Sequence, residues 1–529
     1  MTQEKIVAFI DIGTNSARLL VVSIGENGAY HMLTRIKDVV RLGEGEYTAG
    51  KIQEDAAARL MRVLKRFMDL SRSLGATEFV AMATSAMREA VNSQEIVGKI
   101  GSELGLEIQI ISGKEEARLI HLGVAAGISL GNETALFIDI GGGSTELIVG
   151  GQYTHAALES MRLGAIRVTS QCIKKGFTGA LPPKRQTKMM NRVMTVAMPI
   201  LQRISAFPFT RCIGSSGTTI NLAEIAQKLY HAAETPKKPI LLLSDLENLY
   251  PYLCSLSLEE RRKVPGINPD RADIILAGAA ILLAVMKTLK IPEIEISDRG
   301  LREGILMDYL AEMPGTPQSE RMPVKEASIL QLGRSCRLEE KHAQKVQEIT
   351  LRLFDSAKEC GLHNYGAWER ELLAQAAWLH DVGDFLSFVG HHQHGEYIIR
   401  NTELLGFDQR EILILAKIVR YHRKKLPGRK DSEFGSLTPA DRDRVRIMAL
   451  FLRCAELLNR SHADAVADVR YLCKKGDAVV LDVVPAAGAD LTLELTSLVP
   501  ETVLFAKVFG KKLILQRQDT AYRGTGNCP

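Results

Sequence analysis

Long apolar runs are absent from this sequence. The longest, Ile274 to Met286, is too short to span a bilayer. The opening stretch MTQEKIVAFID carries Glu4 and is broken at Asp11, so it lacks the basic start and long apolar core of a signal peptide. We therefore expect a soluble, cytoplasmic protein with no membrane partner.

The cysteines also show no regular spacing. The eight cysteines are scattered over 529 residues without a CxxC pair. This usage is typical of reduced thiols in a cytosolic chain and gives cysteine chemistry little support.

Neither a strong charge of one sign nor a compositionally biased segment is present. Hydrophobic residues make up 46% and charged residues 24%, and the net charge of +5 argues only weakly for a polyanionic partner. No nucleic-acid partner is expected. The length exceeds what one core organises, which predicts three or four domains.

A repeat organises the first half of the chain. FIDIGTNSARLLVV begins at Phe9 and FIDIGGGSTELIVG at Phe137, and the two copies keep the Asp, the Gly and the following Ser in phase. In each copy an apolar run, a turn segment and a second apolar run predict a β-hairpin. The repeat therefore predicts an internal duplication.

The turns of both hairpins suit phosphate. Glycine lets the backbone approach a ligand, and successive N–H groups with hydroxyls form an anion-binding concavity. One such turn alone would be an ordinary hairpin turn. Two turns in phase favour a phosphate clamp, in which the turns bind phosphate. Asp11 and Asp139 are then expected to face Mg²⁺ or an attacking water. The predicted phosphate-binding residues of the turns are Gly13, Thr14, Asn15, Ser16, Gly141, Gly142, Gly143 and Ser144.

A third glycine-rich element, CIGSSGTTINLAEIA, lies between an apolar strand end and a helical pattern. Backbone donors at a helix N-terminus suit a phosphate or a nucleotide, although the same residues could simply cap the helix. Its candidate phosphate-binding residues are Gly214, Ser215, Ser216, Gly217 and Thr218.

Together with these hairpins, several segments make the chain resemble the exopolyphosphatases and guanosine pentaphosphatases of the Ppx/GppA family. The segments are AFIDIGTNSARLL, ATSAMREAVN, IISGKEEARL, FIDIGGGSTEL, SMRLGAIR, GSSGT, PGINPDRAD and SDRGLREGIL. The resemblance is strong over the first ~310 residues and looser beyond them.

The resemblance assigns roles within the cleft. Its catalytic glutamate falls on Glu116 of SGKEEAR, with the neighbouring Glu115 left open, and a nearby polyanion would raise the pKa of such a base. Arg88 matches an arginine that contacts phosphate. Glu146 matches a second acidic residue near Mg²⁺, and its counterpart in the first hairpin is Arg18.

The resemblance also implies an α/β fold class: two actin-like (ASKHA, ribonuclease H-like) lobes, then an all-α HD-like domain and a small α+β C-terminal domain. The polar stretch Pro314 to Pro323 predicts the boundary after the lobes. From Val469 onward, including DLTLELTSLVPETVLFAKVFGKKLILQR, the pattern is interpreted as short strands alternating with turns. The expected domains are 1–127, 128–313, 320–467 and 468–529.

The helical region resembles HD phosphohydrolases, in which spaced histidines and an HD pair hold a divalent metal. The corresponding residues are His342, His380, Asp381 and Glu456, where Glu456 replaces the expected aspartate. A structural, substrate-holding role is the alternative. Nearby, KIVRYHRKKLPGRK has seven basic residues and no acid, typical of a solvated face or of a grip on polyphosphate by Lys417, Arg420, Arg423, Lys424 and Lys425.

These observations predict an exopolyphosphatase that removes terminal phosphate processively from inorganic polyphosphate, with Mg²⁺, with stimulation by K⁺ and as a homodimer by resemblance. Guanosine pentaphosphate (pppGpp) is the alternative substrate for the same chemistry. An ATP-dependent kinase of the same superfamily, or a non-catalytic polyphosphate or alarmone sensor, remain alternative functions.

Overall fold

The computed structural model separates into two compact units, Met1–Val324 and Lys325–Pro529. Most of the predicted boundary stretch Pro314–Pro323 lies outside the described residues, and the four domain ranges stay predictions. The structure describes residues 4–25, 28–45, 50–232, 239–313, 322–402, 404–423, 431–473 and 478–518.

A mixed sheet organises the first part of the first unit. Its strand order is β3-β2-β1-β4-β5, with β1 to β3 antiparallel and β4 and β5 parallel to β1. Strand β1 is apolar on both faces, as expected of a strand covered on both sides. The elements are β1 (Lys5–Ile12), β2 (Ser16–Ile24), β3 (Tyr30–Val39), α1 (Glu54–Ser73), β4 (Glu78–Ala83), α2 (Ser85–Glu89), α3 (Ser93–Leu104), β5 (Ile108–Ile110) and α4 (Gly113–Ala125).

The second part of this unit repeats the arrangement. Its sheet has the order β8-β7-β6-β9-β11-β10, again an antiparallel meander followed by parallel strands β9 and β11. The predicted duplication of the hairpins is thus confirmed. The elements are β6 (Ala135–Ile140), β7 (Thr145–Gly150), β8 (His155–Met161), α5 (Ala165–Cys172), α6 (Pro183–Ile204), β9 (Arg211–Ser215), α7 (Ser216–Tyr230), β10 (Ile240–Leu242), α8 (Leu243–Ser255), α9 (Leu258–Arg262), a 3₁₀ turn (Pro269–Arg271), α10 (Ile275–Leu289), β11 (Glu293–Ile296) and α11 (Leu301–Ala311).

One apolar core joins the two parts of the first unit. Phe9 of β1 and Phe137 of β6 are buried in it with residues of α4 and α11. The two helices cross at glycines: a Cβ on Gly123 would lie 2.2 Å from the carbonyl oxygen of Gly300, and one on Gly304 would lie 1.8 Å from that of Leu119. Only glycine permits this close approach, which fixes α4 against α11.

The second unit contains a helical region followed by a three-stranded sheet of order β12-β13-β14. A single large core holds the helices and the sheet together. The elements are α12 (Val324–Ser335), α13 (Glu340–Glu359), α14 (Ala367–Trp378), a 3₁₀ turn (Val382–Phe385), α15 (His391–Asn401), α16 (Gln409–Tyr421), α17 (Ser432–Ser436), α18 (Pro439–Leu458), β12 (Val466–Cys473), β13 (Ala478–Pro485), α19 (Thr492–Phe509) and β14 (Lys512–Arg517).

Two expectations for this unit are wrong. Within the region interpreted as short strands, β12, β13 and β14 are strands as predicted, but residues 492–509 form the helix α19, because the buried positions Glu494, Leu498, Glu501 and Phe505 recur every three to four residues. The second concerns thiols: Cys360 and Cys473 form a disulfide, with Cα atoms 5.5 Å apart, because α13 packs beside β12.

The apolar run at Ile274–Met286 belongs to the core. It forms most of α10, in which every residue from Ile275 to Met286 is buried. Within the described part of the chain, no helix has both the length and the apolar character needed to cross a membrane.

Candidate active site

The turns of the two repeated hairpins line one cavity of about 340 Å³. Each turn is closed by the same bond: the N–H of Gly13 donates to Ser16 O at 3.0 Å, and that of Gly141 to Ser144 O at 2.9 Å. A Cβ on Gly142 would lie 3.0 Å from Cβ of Thr14, so the turns lie against each other. The predicted phosphate-binding residues that line the cavity are Gly13, Thr14, Asn15, Ser16, Gly141, Gly142, Gly143, Ser144, Ser216, Gly217 and Thr218.

Three predicted phosphate-binding residues are not among those that line the cavity: Gly214, Ser215 and Arg88. Gly214 lies within β9 between two neighbouring strands. The hydroxyl of Ser215 donates to Asp139 Oδ2 at 2.6 Å, and the Arg88 guanidinium donates to the carboxylate of Glu116. Ser215 and Arg88 therefore hold acidic side chains in place.

The hairpins differ at one paired position. Asp11 lies opposite Arg18 across the first hairpin, whereas Asp139 lies opposite Glu146 across the second. The first hairpin therefore adds a positive charge to the cavity and the second concentrates negative charge.

Four carboxylates, here called the acidic group, gather at this place: Asp11, Glu116 and Glu146 are buried, Asp139 is half-buried, and all of them except Glu146 line the cavity. Glu116 lies in the first turn of α4, whose N-cap Ser112 accepts the N–H of Glu115. Both terminal nitrogens of Arg88 lie 3.1 Å from Glu116 Oε2, and one of them also donates to Ile111 O at 2.8 Å. Arg88 thus orients the carboxylate toward the cavity that Glu116 lines.

Glu115, the open alternative, faces away from this chemistry. Its carboxylate accepts two bonds from Arg118, at 2.9 and 2.7 Å, and it does not line the cavity. The geometry favours Glu116 over its neighbour.

Burial raises the pKa of every member of the acidic group. It raises the pKa of Glu116 to about 7, with Arg88 opposing the shift. For Glu146, burial and the neighbouring charges of Glu116 and Asp139 raise the pKa well above its usual value, while Ser160 donates to it at 2.8 Å. Burial also raises the pKa of Asp11 and of Asp139, with opposition from Arg18 and from Ser215 respectively. A cation bound beside these carboxylates would lower their pKa values again and stabilise their charged forms.

The donors of the acidic group fit Mg²⁺. They are all oxygens, the ligands that this cation prefers. Asp11 Oδ1 is buried without a hydrogen-bond partner among the described residues, which is the state expected of an atom that binds an ion. Asp11 and Asp139 are the carboxylates that would hold it.

Six basic side chains of the described residues line the same cavity, and four of them are here called the basic group: Arg18, Lys37, Arg271 and Arg302. Burial, then the charges of Arg271 and Arg18, lower the pKa of Lys37 to about 8. Burial and Arg18 lower the pKa of Arg271 to about 10. Cations held this close together, where each disfavours the charge of the next, form a site for a polyanion.

No role was predicted for the basic group, except that Arg18 was named as the counterpart of Glu146. Arg271 and Arg302 lie in the quoted segments PGINPDRAD and SDRGLREGIL. Lys37 and Arg35 alternate along β3 and both line the cavity, a period-two signal of a shared strand face.

The third glycine-rich element contributes through its turn. Ser216 has φ of 78°, a left-handed conformation rare for a non-glycine residue, at the start of α7. A Cβ on Gly217 would lie 2.1 Å from Nη2 of Arg271, so only glycine admits the guanidinium there. Arg271 also donates to the hydroxyl of Thr218 at 3.4 Å.

The sequence model of the Ppx/GppA phosphatase family matches residues 20–313, and that of domain III of the same family matches residues 324–501. The chain belongs to the Ppx/GppA phosphatase family.

Relatives and solved structures agree with this assignment. A guanosine-5'-triphosphate,3'-diphosphate pyrophosphatase from Photobacterium profundum is 27% identical and covers 79% of this chain and 80% of its own length. A protein of the same name from Aliivibrio fischeri is 27% identical over 90% of this chain and 91% of its own. The crystal structure of an exopolyphosphatase from Cytophaga hutchinsonii superposes with a TM-score of 0.53 and 29% identity, over 58% of this chain and 98% of that one.

Beside the first cavity of this Ppx/GppA phosphatase lies a second, of about 400 Å³, which shares Asn15 and Ile274 with it. Its lining includes Phe177, Leu181 and several other apolar side chains. Two polar atoms in its lining residues, Thr169 Oγ1 and Asp273 Oδ1, are buried without a hydrogen-bond partner among the described residues. A mostly apolar cavity with a few unsatisfied polar atoms is typical of a small-molecule site.

The HD-like residues and the basic run lie in the second unit of the protein. The structure brings His342, His380, Asp381 and Glu456 together, with ligand atoms within 4.8 Å of one another. Metal binding by them stays a prediction.

The predicted grip on polyphosphate is wrong for Lys417. Its side chain is 2% exposed, and its ammonium donates to Glu396 at 2.5 Å, to Asp431 at 2.9 Å and to Glu433 at 3.3 Å. These three acids lie outside the basic run, and they already neutralise the charge of Lys417. Arg420 pairs with Glu396 at 3.5 Å, Arg423 lies over the ring of Phe388, and Lys424 and Lys425 lie outside the described residues.

Proposed function

We propose that this chain is a Mg²⁺-dependent exopolyphosphatase that removes the terminal phosphate of inorganic polyphosphate processively. The observation that carries the proposal is the position of Glu116 in a cavity lined by two phosphate-clamp turns and by the basic group. Hydrolysis needs a base near the terminal phosphorus and cations around its oxygens, and both are present here.

In this proposal the polyanion enters the cavity with its terminal phosphate against the turns at Gly13 and Gly141. The basic group compensates the charge of the phosphate oxygens and positions the chain end. Mg²⁺ held by Asp11 and Asp139 supplies further charge compensation when bound.

Glu116 is the proposed general base. Water attacks the terminal phosphorus while its proton passes to a carboxylate oxygen of Glu116, and the P–O bond to the next phosphate breaks. The products are orthophosphate and a chain one phosphate shorter. Arg88, bound to Glu116 Oε2 at 3.1 Å, keeps the base oriented.

Guanosine pentaphosphate is a second candidate substrate, favoured by the second cavity. The two cavities share the lining residues Asn15 and Ile274. A nucleoside attached to a phosphate chain in the first cavity would therefore lie within reach of the second cavity. The guanine edge carries N–H donors, which match the two unsatisfied acceptors Thr169 Oγ1 and Asp273 Oδ1. The curated relatives named for this substrate point the same way.

The test measures orthophosphate release by the wild-type protein from long-chain polyphosphate and from pppGpp, with Mg²⁺. Release from at least one substrate, with no transfer to an added acceptor, is expected. Release from neither would overturn the proposal and revive the sensor, whereas phosphate transfer from ATP to an acceptor would favour a kinase.

Thr169→Val separates the two substrates, because it removes the unsatisfied hydroxyl and keeps the side-chain shape. If pppGpp uses the second cavity, this variant loses about 10-fold in kcat/KM on pppGpp, the value of one hydrogen bond to a buried group, and nothing on polyphosphate. Ser170→Ala is the matched control, since Ser170 lines the same cavity but its hydroxyl already donates to Arg167 O at 2.9 Å.

A further inference from the structure

The second unit buries a cluster of histidines that the cleft chemistry does not use. His342 comes from α13, His380 follows α14, His391 begins α15 and His422 follows α16. All four are at most 5% exposed. Burying this many polar rings is unfavourable unless each nitrogen has a partner.

The first part of the cluster converges on one point. Glu456 Oε2 lies 3.2 Å from Nε2 of His342 and 3.2 Å from Nε2 of His380, and the two nitrogens are 3.3 Å apart. Asp381 Oδ2 lies 3.2 Å from His380 Nε2 and 3.6 Å from His342 Nε2. Two nitrogens and two carboxylates thus face one another.

A second part of the cluster is built on the other oxygen of the same aspartate. Asp381 Oδ1 lies 3.3 Å from His391 Nε2 and 4.0 Å from His422 Nε2, and these two nitrogens are 3.3 Å apart. Asp381 Oδ1 is also buried without a hydrogen-bond partner among the described residues. One carboxylate therefore offers one oxygen to each half of the cluster.

The outer nitrogens of the rings are already engaged. Nδ1 of His380 lies 2.7 Å from Ala377 O, that of His422 lies 2.6 Å from Val419 O, and that of His391 lies 3.2 Å from Phe388 O. A ring that donates Nδ1–H to a carbonyl keeps a lone pair on Nε2, which is the arrangement of a metal-binding histidine.

His342 can also donate its Nδ1–H and leave Nε2 free to bind a metal. Its Nδ1 lies 3.0 Å from the side-chain amide of Asn459, whose oxygen is buried without a partner among the described residues. With the amide turned over, that oxygen accepts the Nδ1–H and frees Nε2 as a ligand.

We propose that the second unit binds two divalent cations bridged by Asp381. His342, His380 and Glu456 complete the first site, and His391 and His422 belong to the second. The HD resemblance implied metal binding by His342, His380, Asp381 and Glu456. The second site rests on the geometry of His391, His422 and Asp381 Oδ1. The inference stands apart from the proposed function of the cleft.

The donor set selects the class of cation. Four imidazoles with two carboxylates suit Mn²⁺, Fe²⁺, Co²⁺, Ni²⁺ or Zn²⁺, whereas Mg²⁺ prefers oxygen ligands such as those of the acidic group. The second site has fewer protein ligands, so its cation is expected to be the more easily removed.

The test is the Mn²⁺ content of the full chain after loading with Mn²⁺ in excess Mg²⁺, which occupies the oxygen ligands of the acidic group, and removal of free metal. The wild type is expected to hold two Mn²⁺ per chain, His422→Ala one, and Asp381→Asn fewer than one. His394→Ala is the matched control: it lies on the same helix as His391, outside the cluster, and should retain two. Asp11→Asn, which alters the proposed Mg²⁺ site of the cleft, should also retain two, which separates this result from a failure of the cleft proposal.

A measurement on the unmutated protein covers the case in which a variant does not fold. Two Mn²⁺ bridged by a carboxylate give an exchange-coupled electron paramagnetic resonance spectrum, unlike the six-line signal of an isolated ion. Binding of one Mn²⁺ or none, or a spectrum of isolated ions only, would overturn the inference.

Discussion

The acidic group and the basic group lie at the same cavity, which every member except Glu146 lines, but their charges are compensated in opposite ways. The carboxylates at Asp11 and Glu116 are buried, and burial raises their pKa values although the charges of Arg18 and Arg88 oppose the shift. The cations at Lys37 and Arg271 are crowded by one another as well as buried, so their pKa values fall. Each group lacks what the substrate complex would bring: a cation for the acids and a polyanion for the bases.

This difference suggests a division of labour. The acidic group should govern the chemical step and therefore kcat, and the basic group should govern substrate binding and therefore KM. Variants in the two groups can break or sharpen this distinction.

The largest expected effect is on kcat. Glu116→Gln removes the proton acceptor while keeping its shape, so kcat for polyphosphate should fall by about 10² to 10⁴-fold with little change in KM. Steady-state phosphate release measures it. Glu115→Gln is the control and should keep near wild-type turnover; equal losses in both variants, or none in Glu116→Gln, would end the assignment of the base.

A smaller effect is expected from Arg271→Ala, and in KM. A lost charged hydrogen bond of about 1.5–3 kcal/mol corresponds to about 10 to 100-fold in KM. A loss confined to kcat would place Arg271 with the acidic group instead. The kinetics should be measured at fixed ionic strength, because salt screens these charges.

Gly217→Ala should resemble Arg271→Ala in a weaker form. The added Cβ would lie 2.1 Å from Nη2 of Arg271 and displace the guanidinium. We expect KM to rise by about 10-fold, and the double variant to be no worse than Arg271→Ala alone because both changes act on one contact. Additive losses would show that Gly217 acts through something else.

A few-fold effect on pH dependence is expected at Lys37. Its pKa is lowered to about 8, so the ammonium is charged below that pH and loses its proton as the pH rises through it. KM for polyphosphate should therefore rise above pH 8 in the wild type, and less so in Lys37→Arg, whose guanidinium stays charged. Parallel profiles for the two proteins would remove Lys37 from the basic group.

The smallest effect on activity is expected from Lys417→Met. This lysine is neutralised by Glu396, Asp431 and Glu433, so KM for polyphosphate should stay unchanged. Removing it leaves the partly buried Asp431 and Glu396 short of a cation, which should lower the free energy of unfolding by about 1–3 kcal/mol. A raised KM with unchanged stability in denaturant unfolding would restore the grip that the sequence predicted.

Local sequence patterns were sufficient to predict part of the fold and part of the candidate site. The hairpins at Asp11 and Asp139 are repeated short segments, and Glu116 lies in a contiguous motif at a helix start, so each could be predicted without tertiary information. The duplicated actin-like architecture followed from the repeat and the resemblance.

The remainder depends on contacts between distant segments. Lys37, Arg271 and Arg302 come from three separate parts of the chain and meet only in the folded cavity. The basic run that begins at Lys417 does not reveal the ion pair of Lys417 with Glu396, which lies 21 residues earlier in the chain. Cys360 and Cys473 likewise meet only because α13 packs against β12.

The crossing of α4 and α11 sets the spacing between the base and one cation of the basic group. Its contact points, Gly123 and Gly304 with Leu119, lie within two turns of Glu116 on α4, and Arg302 is two residues from Gly304 on α11. A side chain at either glycine would push α4 and α11 apart and so change the distance between the base and this arginine. The reach of the base to the reacting phosphate therefore depends on two glycines that touch no substrate.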